Sequence, residues 1–461
     1  MQYQSTRGQA PQLDFRGVTL AGLAADGGLY LPVEWPVLTA DSIESFATLD
    51  YADTAFTVMR PFLSESLTDA DLKSLLRDTY GQFGHAGVTP LVQLDARHWL
   101  LELFHGPTLA FKDVALQLLG ALFARFLSDG QRLTIVGATS GDTGSAAIEA
   151  VAGRPGISIF MLHPEGRVSE VQRRQMTTVS APNVHNIAIN GSFDDCQALV
   201  KTLFNDAPFR QDMQLSAVNS INWARLLAQI VYYFHAGSRL GAPHRRISFS
   251  VPTGNFGDVF AGYCAARMGL PVGRLLVATN INDILVRALS SGDYSVGNVA
   301  ATATPSMDIQ ISSNFERLLF DLHDRDGAAL ARSMQKFEAS GKLSLDAGQR
   351  AHAAELFLSE RIDEPAMMQA LAWAHDECRQ LIDPHTGVGL AAARRRAAEL
   401  PGPIVTLATA HPAKFPDAVE RATGVRPPLP RRLQHLFDRE ERFERLDADV
   451  EGLKAFIKAR A

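Results

Sequence analysis

The sequence predicts an α/β protein in which parallel sheets are covered by helices, and three observations lead there. At 461 residues the chain exceeds the size at which single hydrophobic cores stop growing, so more than one domain and an internal cleft are expected. From Leu133 onward short apolar runs alternate with helical patterns: Leu133 to Val136, Ile157 to Leu162, Val184 to Ile189, Ile247 to Val251, Leu275 to Ala278 and Ile404 to Leu407. These runs are too short for helices and too apolar for half-exposed strands, which fits parallel strands buried on both faces. Two of them open into glycine-rich loops followed by helical text, the strand-loop-helix unit from which such domains are built.

Taken in order, residues 1–92 read as an extra N-terminal domain, with a turn and extended piece from Asp26 to Pro32 and helical text from Asp41 to Phe83. Residues 93–430 carry the strand-helix alternation. Val114 to Phe126, interrupted by Gln117 and Arg125, predicts an amphipathic helix. Within about 292–364 strand signals are scarce, and the patterns at Phe315 to Leu322 and Ala328 to Phe337 predict a helical insertion. In 431–461, Phe443, Leu446, Val450, Leu453 and Ile457 recur at steps of three and four, predicting one amphipathic helix packed on the chain's own core.

Composition removes several function classes. Hydrophobic residues are 46% and charged residues 20%, ordinary for a folded globular chain. A net charge of -6 offers no basic field for phosphate neutralisation, so no nucleic-acid partner is expected. Cys196, Cys264 and Cys378 make neither a CxxC pair nor a zinc spacing, and read as free thiols in a reducing cytosol. No stretch of about 18 apolar residues occurs, and residues 1–8 lack the apolar core of a secretion signal. A cytoplasmic protein without membrane contact is the expectation. With no metal-ligand spacing, the chemistry is assigned to side chains or an organic cofactor.

Five segments could carry that chemistry. Glu102 to Asp113 places Lys112 at a helix start, where the helix dipole disfavours a cation and favours the neutral amine that reacts with carbonyls; alone, such a lysine is also compatible with a solvated surface position. Thr134 to Ser145 is a strand, a loop of small residues and a helix start, suited to a carboxylate or a phosphate, or to a tight turn without ligand. It lacks the GK[ST] ending of a phosphate-binding loop of nucleotide enzymes, and Thr139 stands where a nucleophile elbow needs serine. Ile247 to Met268 repeats the architecture around Pro252 to Gly257, which reads equally as a plain turn or as a second anion site; two such sites in one molecule can hold two anionic groups. Asn219 to Arg225 crowds amide, hydroxyl and guanidinium groups at a helix start; Arg225 can fork onto a phosphate, or Ser220 or Asn219 can simply cap the helix. Thr406 to Phe415 is a strand end opening into polar residues, including Thr409 and His411.

Together these segments resemble the threonine synthase family. The likeness runs in order through Ser5-Thr6-Arg7 with Asp26 to Leu29, His105 to Asp113, Ala138 to Gly144, Asn219 to Arg225, Thr253 to Asp258, Met307 to Arg317 and His411 to Phe415, and is similar to the bacterial and fungal subgroup with a long N-terminal domain. Gly387 departs from the pattern, where alanine is expected. The resemblance implies pyridoxal-phosphate fold type II, the tryptophan synthase β-like fold, with pyridoxal 5'-phosphate as cofactor and Lys112 as the Schiff-base lysine. It implies that Gly254, Asn255, Phe256 and Gly257 hold the cofactor phosphate, and that the Thr409 hydroxyl faces the pyridine nitrogen. Thr139, Ser140, Gly141, Asp142 and Thr143 match the loop that receives the substrate carboxylate, and Asn219, Ser220 and Arg225 match residues near the substrate phosphate. The implied reaction converts O-phospho-L-homoserine and water to L-threonine and phosphate by γ-elimination and β-addition of water. Control of water in such a reaction calls for a closure, with the N-terminal domain or Ser312 to Arg317 as moving part.

Three rivals remain at this level: a phospho-lyase of the same fold giving a 2-oxo acid, a phosphate-ligand binding protein without catalysis, and a serine-type hydrolase. Whether the chain is a monomer or a homodimer is undecided by sequence.

Overall fold

In a computed structural model, which describes residues 1–461 apart from 64, 128–129, 140 and 217–219, all six apolar runs are strands of two sheets. The first three lie in a five-stranded parallel sheet of order Glu444–Asp447, Val184–Asn190, Ile157–Pro164, Leu133–Ala138, Leu215–Ser216. The others lie in a six-stranded sheet of order Phe357–Arg361, Val272–Thr279, Ile247–Pro252, Ile404–Ala408, His98–Glu102, Leu91–Gln93, parallel except for the last pair. Ile247–Pro252 is buried at every position, as a central strand covered on both faces must be. Among the described residues no helix is long and apolar enough to cross a membrane.

The helix Trp223–Arg239 is the spine between the two sheets. Residues 223–238 of it are buried without interruption, because it is wrapped by Tyr51–Leu63 of the N-terminal segment, by Lys112–Phe126 and by Gly257–Arg267. Trp223 sits among Tyr3, Trp35 and Phe62, with ring centroids 5.8 to 6.2 Å away. Aromatic contacts of this kind add to the burial energy of the rings themselves. The N-terminal residues therefore share one hydrophobic core with the strand-bearing region.

Polar contacts lock the same junction. Tyr3–Ser5 and Tyr30–Pro32 form an antiparallel pair, and Glu316 accepts from Thr6 Oγ1 at 2.6 Å and from Arg7 Nε and Nη2 at 3.1 and 3.2 Å. Arg317, fully buried, donates to the carbonyls of Tyr30 and Ile221 and to Asn314 Oδ1. The sequence offers residues 312–317 as a candidate moving part; in this structure the segment is bonded to three separate elements and buried at Arg317, and so forms part of the frame.

Two expectations are corrected. The 292–364 region is not purely helical: Phe315–Leu322 and Gly327–Ser340 lie where the pattern put them, but Asp293–Ser295 pairs with Lys342–Ser344, and Phe357–Arg361 joins the six-stranded sheet. Phe357–Arg361 is an edge strand with only Phe357 buried, so it shows no apolar run. In 431–461 the helix covers only Val450–Lys458, and Glu444–Asp447 is a strand. Leu446 reaches the same apolar cluster as Leu453 and Ile457, so a strand residue happened to satisfy helical spacing. Gly387 packs the helix Pro384–Arg395 on Glu364–Cys378, where a Cβ would lie 2.2 Å from Leu371 Cδ1.

A second glycine brings the site together. A Cβ on Gly120, in the helix Lys112–Phe126, would lie 2.2 Å from the carbonyl oxygen of Ala150 in the helix Asp142–Val151. These two helices start with Lys112 and Asp142, so their close approach sets the distance between those side chains. Gly120→Ala is predicted to lower stability in urea unfolding by about 1–2 kcal/mol, an overpacking cost in the upper part of the usual range of about 1–3 kcal/mol less alanine's advantage of about 1 kcal/mol in a helix. Unchanged or increased stability would show that the two helices can separate freely.

Candidate active site

The site forms where the C-terminal ends of neighbouring parallel strands meet, the usual position for ligands in such sheets. Ile404–Ala408 lies between Ile247–Pro252 and His98–Glu102, so the segments after these three strands emerge side by side. Beyond Glu102 the chain is laced to the end of Ile404–Ala408: Leu103 N donates to Ala408 O at 3.0 Å, Phe111 N to Thr409 O at 2.8 Å, and His411 N to Leu109 O at 3.0 Å. Asp113 closes the loop from inside, accepting from Thr108 N at 2.8 Å and Thr108 Oγ1 at 2.7 Å. Burial pushes its carboxyl up to about 6. The result is a fixed start for the helix Lys112–Phe126, with Thr409 buried alongside.

Lys112 is the first residue of that helix, as the sequence predicts. Its Nζ lies 3.6 Å from Asp142 Oδ2 and 4.9 Å from the centroid of the Phe111 ring. Burial lowers its pKa, Asp142 opposes that shift, and the charges of Lys414 and Arg225 add to it. The net shift favours the neutral amine, the state that attacks an aldehyde.

Asp142 begins the helix Asp142–Val151 and points at both lysines. Its Oδ1 accepts from Lys414 Nζ at 2.9 Å and Gln172 Nε2 at 2.8 Å. Burial alone would raise its carboxyl, but the ammonium groups of Lys414 and Lys112 overcome this and hold it well below the usual carboxylate range. Thr139 Oγ1 accepts from Gly141 N at 3.0 Å and Gly144 N at 2.9 Å, so this hydroxyl braces the loop and keeps only its proton for a ligand. Gly141 has φ 144°, a conformation closed to most side chains. Thr143 is half-buried at the helix start; Ser140 lies outside the described residues.

The second glycine loop is built differently. Phe256 has φ 63° and its ring is clamped against Phe315, 5.2 Å between centroids. A Cβ on Gly254 would lie 2.7 Å from Ser306 O. Ser312 Oγ donates to Gly254 O at 2.8 Å and Asn314 N to Asn255 O at 3.1 Å, so the loop's carbonyls face the frame. Among the described residues no hydrogen bond is made by the backbone N–H groups of Gly254, Asn255, Phe256 and Gly257. Four free amides at the start of the helix Gly257–Arg267 make an anion cradle, and they fit the phosphate of pyridoxal phosphate.

Arg225 is in the first turn of Trp223–Arg239, 3% exposed, with Nε and Nη1 unpartnered among the described residues. Burial lowers its pKa to about 10, still a cation at neutral pH. A buried guanidinium with free donors calls for an anion. The helix is capped by Asn222, whose side chain accepts from Ala224 N, so the cap expected at Ser220 or Asn219 sits two or three residues later. Ser220 Oγ lies 3.4 Å from Ser313 Oγ; Asn219 lies outside the described residues.

Sequence reasoning gave no role to Lys414 or Gln172, and gave Ser312 and Asn314 only a place in a candidate moving segment. Lys414 had one legible signal, a lysine between the apolar end of a strand and Phe415, where a charged side chain has little water to reach. The others show their roles only through contacts made across the fold.

Three family models cover the chain: "Threonine synthase N terminus" over residues 2–80, "Pyridoxal-phosphate dependent enzyme" over 83–410, and "Threonine synthase, C-terminal" over 386–457. The threonine synthase of Pseudomonas aeruginosa is 55% identical over 459 residues, spanning 99% of this chain and 98% of that protein. That of Saccharomyces cerevisiae is 41% identical, spanning 99% and 97%. Among solved structures, the pyridoxal-phosphate-bound threonine synthase of Brucella melitensis superposes with a TM-score of 0.97 at 51% identity, covering 100% of this chain and 99% of that one. A chain matched end to end by relatives at these identities belongs to the threonine synthase family of pyridoxal-phosphate-dependent enzymes.

Proposed function

We propose that this chain converts O-phospho-L-homoserine and water to L-threonine and phosphate, with Lys112 as both attachment point and proton carrier. The observation that carries the reading is a buried lysine at a helix start set among an amide cradle, a buried guanidinium unpartnered among the described residues and a glycine loop. A cytoplasmic place of action belongs to the same reading.

Bound pyridoxal phosphate supplies an aldehyde that captures amines and an electron sink that acidifies the C–H bonds beside them. In the proposed assignment Lys112 bonds its aldehyde, the amides of Gly254, Asn255, Phe256 and Gly257 take its phosphate, and the Thr409 hydroxyl meets its pyridine nitrogen. A neutral hydroxyl there leaves that nitrogen largely unprotonated. The loop of Thr139, Ser140, Gly141, Asp142 and Thr143 receives the substrate carboxylate, its helix amides providing the attraction. Asp142 itself serves this loop through its ion pairs rather than by direct contact, since a carboxylate repels a carboxylate. Arg225 grips the substrate phosphate, with Asn219 and Ser220 assigned to the same role from sequence.

With the substrate amine in its place, Lys112 would remove the proton from substrate Cα and then one from Cβ, which would let the γ-phosphate leave. One proton would then pass to Cγ, which becomes the methyl group, water would add its hydroxyl at Cβ and give its proton to the departed phosphate, and Lys112 would return a proton to Cα. Burial lowers the pKa of Lys112, which works in the direction of a neutral amine able to take up a proton.

Lys112→Ala is predicted to abolish phosphate release and threonine formation together, with turnover below about a thousandth of the parent, since nucleophile and base are lost at once. Retained turnover requires another amine; 2-oxobutyrate as the parent's main product requires the phospho-lyase reaction instead. Arg225→Met is predicted to lower kcat/KM about 10- to 100-fold, the equivalent of about 1.5–3 kcal/mol from one charge-assisted contact. The cofactor-free variant should be no less stable than its parent in thermal melting, because an unpartnered buried charge is removed. Unchanged kcat/KM would take Arg225 out of the phosphate site.

A further inference from the structure

Outside the groups used above, the described residues place a third cation in the site. Lys414, in the turn Pro412–Lys414 that follows Ile404–Ala408, has no exposed side-chain surface. Its ammonium meets Asp142 Oδ1 at 2.9 Å, Thr108 O at 2.7 Å and Gln175 Oε1 at 2.9 Å. Three donors with three acceptors is the full complement of a protonated lysine. Lys112, by contrast, approaches Asp142 only to 3.6 Å. One carboxylate thus faces two lysines, and the lysine that does not begin a reactive helix holds it more closely.

We propose that Lys414 is a positioning residue: the permanent counter-ion of Asp142, which leaves Lys112 free to give up its own charge and react. The inference rests on Lys112 being the attachment lysine.

Asp142 is buried and negative. If Lys112 were its sole partner, each loss of the Lys112 charge would leave a buried carboxylate unpaired, a strongly unfavourable state. That cost would oppose deprotonation of Lys112 and raise its pKa. With Lys414 in place the carboxylate stays neutralised whichever form Lys112 takes. The same ammonium repels the Lys112 cation, working in the direction that frees the amine. Lys414 also acts mechanically: Thr108 O accepts from both Lys414 Nζ and Gln175 Nε2, the latter at 3.0 Å. This pins the loop leading into Lys112 to the helix Glu170–Thr177. The charged groups that bear on this cluster are Asp142 on its helix, Lys414 in its turn, Arg225 on the central helix, and Asp113 next to Lys112, which interacts with Lys414.

The test reads the Lys112 amine directly. The full-length, cofactor-free protein is labelled by competitive acetylation at a series of pH values, and modification of the Lys112 peptide is followed by mass spectrometry. In Lys414→Met the midpoint for Lys112 is expected to rise by about one pH unit or more, and in the double variant Lys414→Met with Asp142→Asn it is expected to return to within about one unit of the parent. An unchanged midpoint in the single variant, or a double variant displaced by more than that, overturns the proposal. If the single variant does not fold, the double variant decides alone by the same criterion. Because the label reports on the amine whether or not cofactor attaches there, these results stand apart from the assignment of Lys112, which hydride reduction of the holoenzyme addresses separately.

Discussion

Asp142 lies between Lys112 and Lys414, and through it the two sheets meet chemically. It starts the helix after a strand of the five-stranded sheet, whereas both lysines follow strands of the six-stranded sheet. Buried charges tolerate little misplacement, because their mutual attraction must offset the loss of hydration. The requirement for a close fit here explains surrounding features that are otherwise unconnected. Gly120 lets the two helices approach until a carbonyl fills the place of a side chain; Thr139 fixes the loop before Asp142; Asp113 and Gln175 fix the loop before Lys112.

The anion sites depend on a second constraint, the buried segment 312–317. Ser312 and Asn314 hold the carbonyls of the Gly254–Gly257 loop, and Asn314 Nδ2 donates to Ser220 O at 3.1 Å. Arg317 carries the connection to Ile221 and to Tyr30 of the N-terminal strand pair. The proposed cofactor-phosphate and substrate-phosphate sites are therefore held by one short stretch of chain, and the N-terminal segment is braced against it through Glu316. A carbonyl held from behind leaves its neighbouring amides facing the other way, so the anion cradle follows from the frame as much as from the glycines.

Much of this was legible because the central strands are buried on both faces and so announce themselves as apolar runs. Phe357–Arg361, Leu91–Gln93 and the three-residue pairs escaped because edge or short strands carry no such signal. At the C-terminus Leu446 misled, since a strand and a following helix that share one apolar cluster can mimic a single helical face. The site was legible as motifs rather than as partners. Lys112 at a helix start and the two glycine loops can be read from local sequence, but the pairing of Asp142 with Lys414 joins residues 272 positions apart by subtraction of their numbers, and no periodicity reports such a contact. The same limit applies to Arg225, whose isolation becomes visible only when its surroundings are known.

The central claim is that the amine of Lys112 bonds the cofactor aldehyde. Hydride reduction of the holoenzyme, followed by proteolysis and mass spectrometry of the labelled peptide, tests it most directly. The account predicts the pyridoxyl label on Lys112 alone; a label on Lys414, on any other lysine, or on none would contradict it.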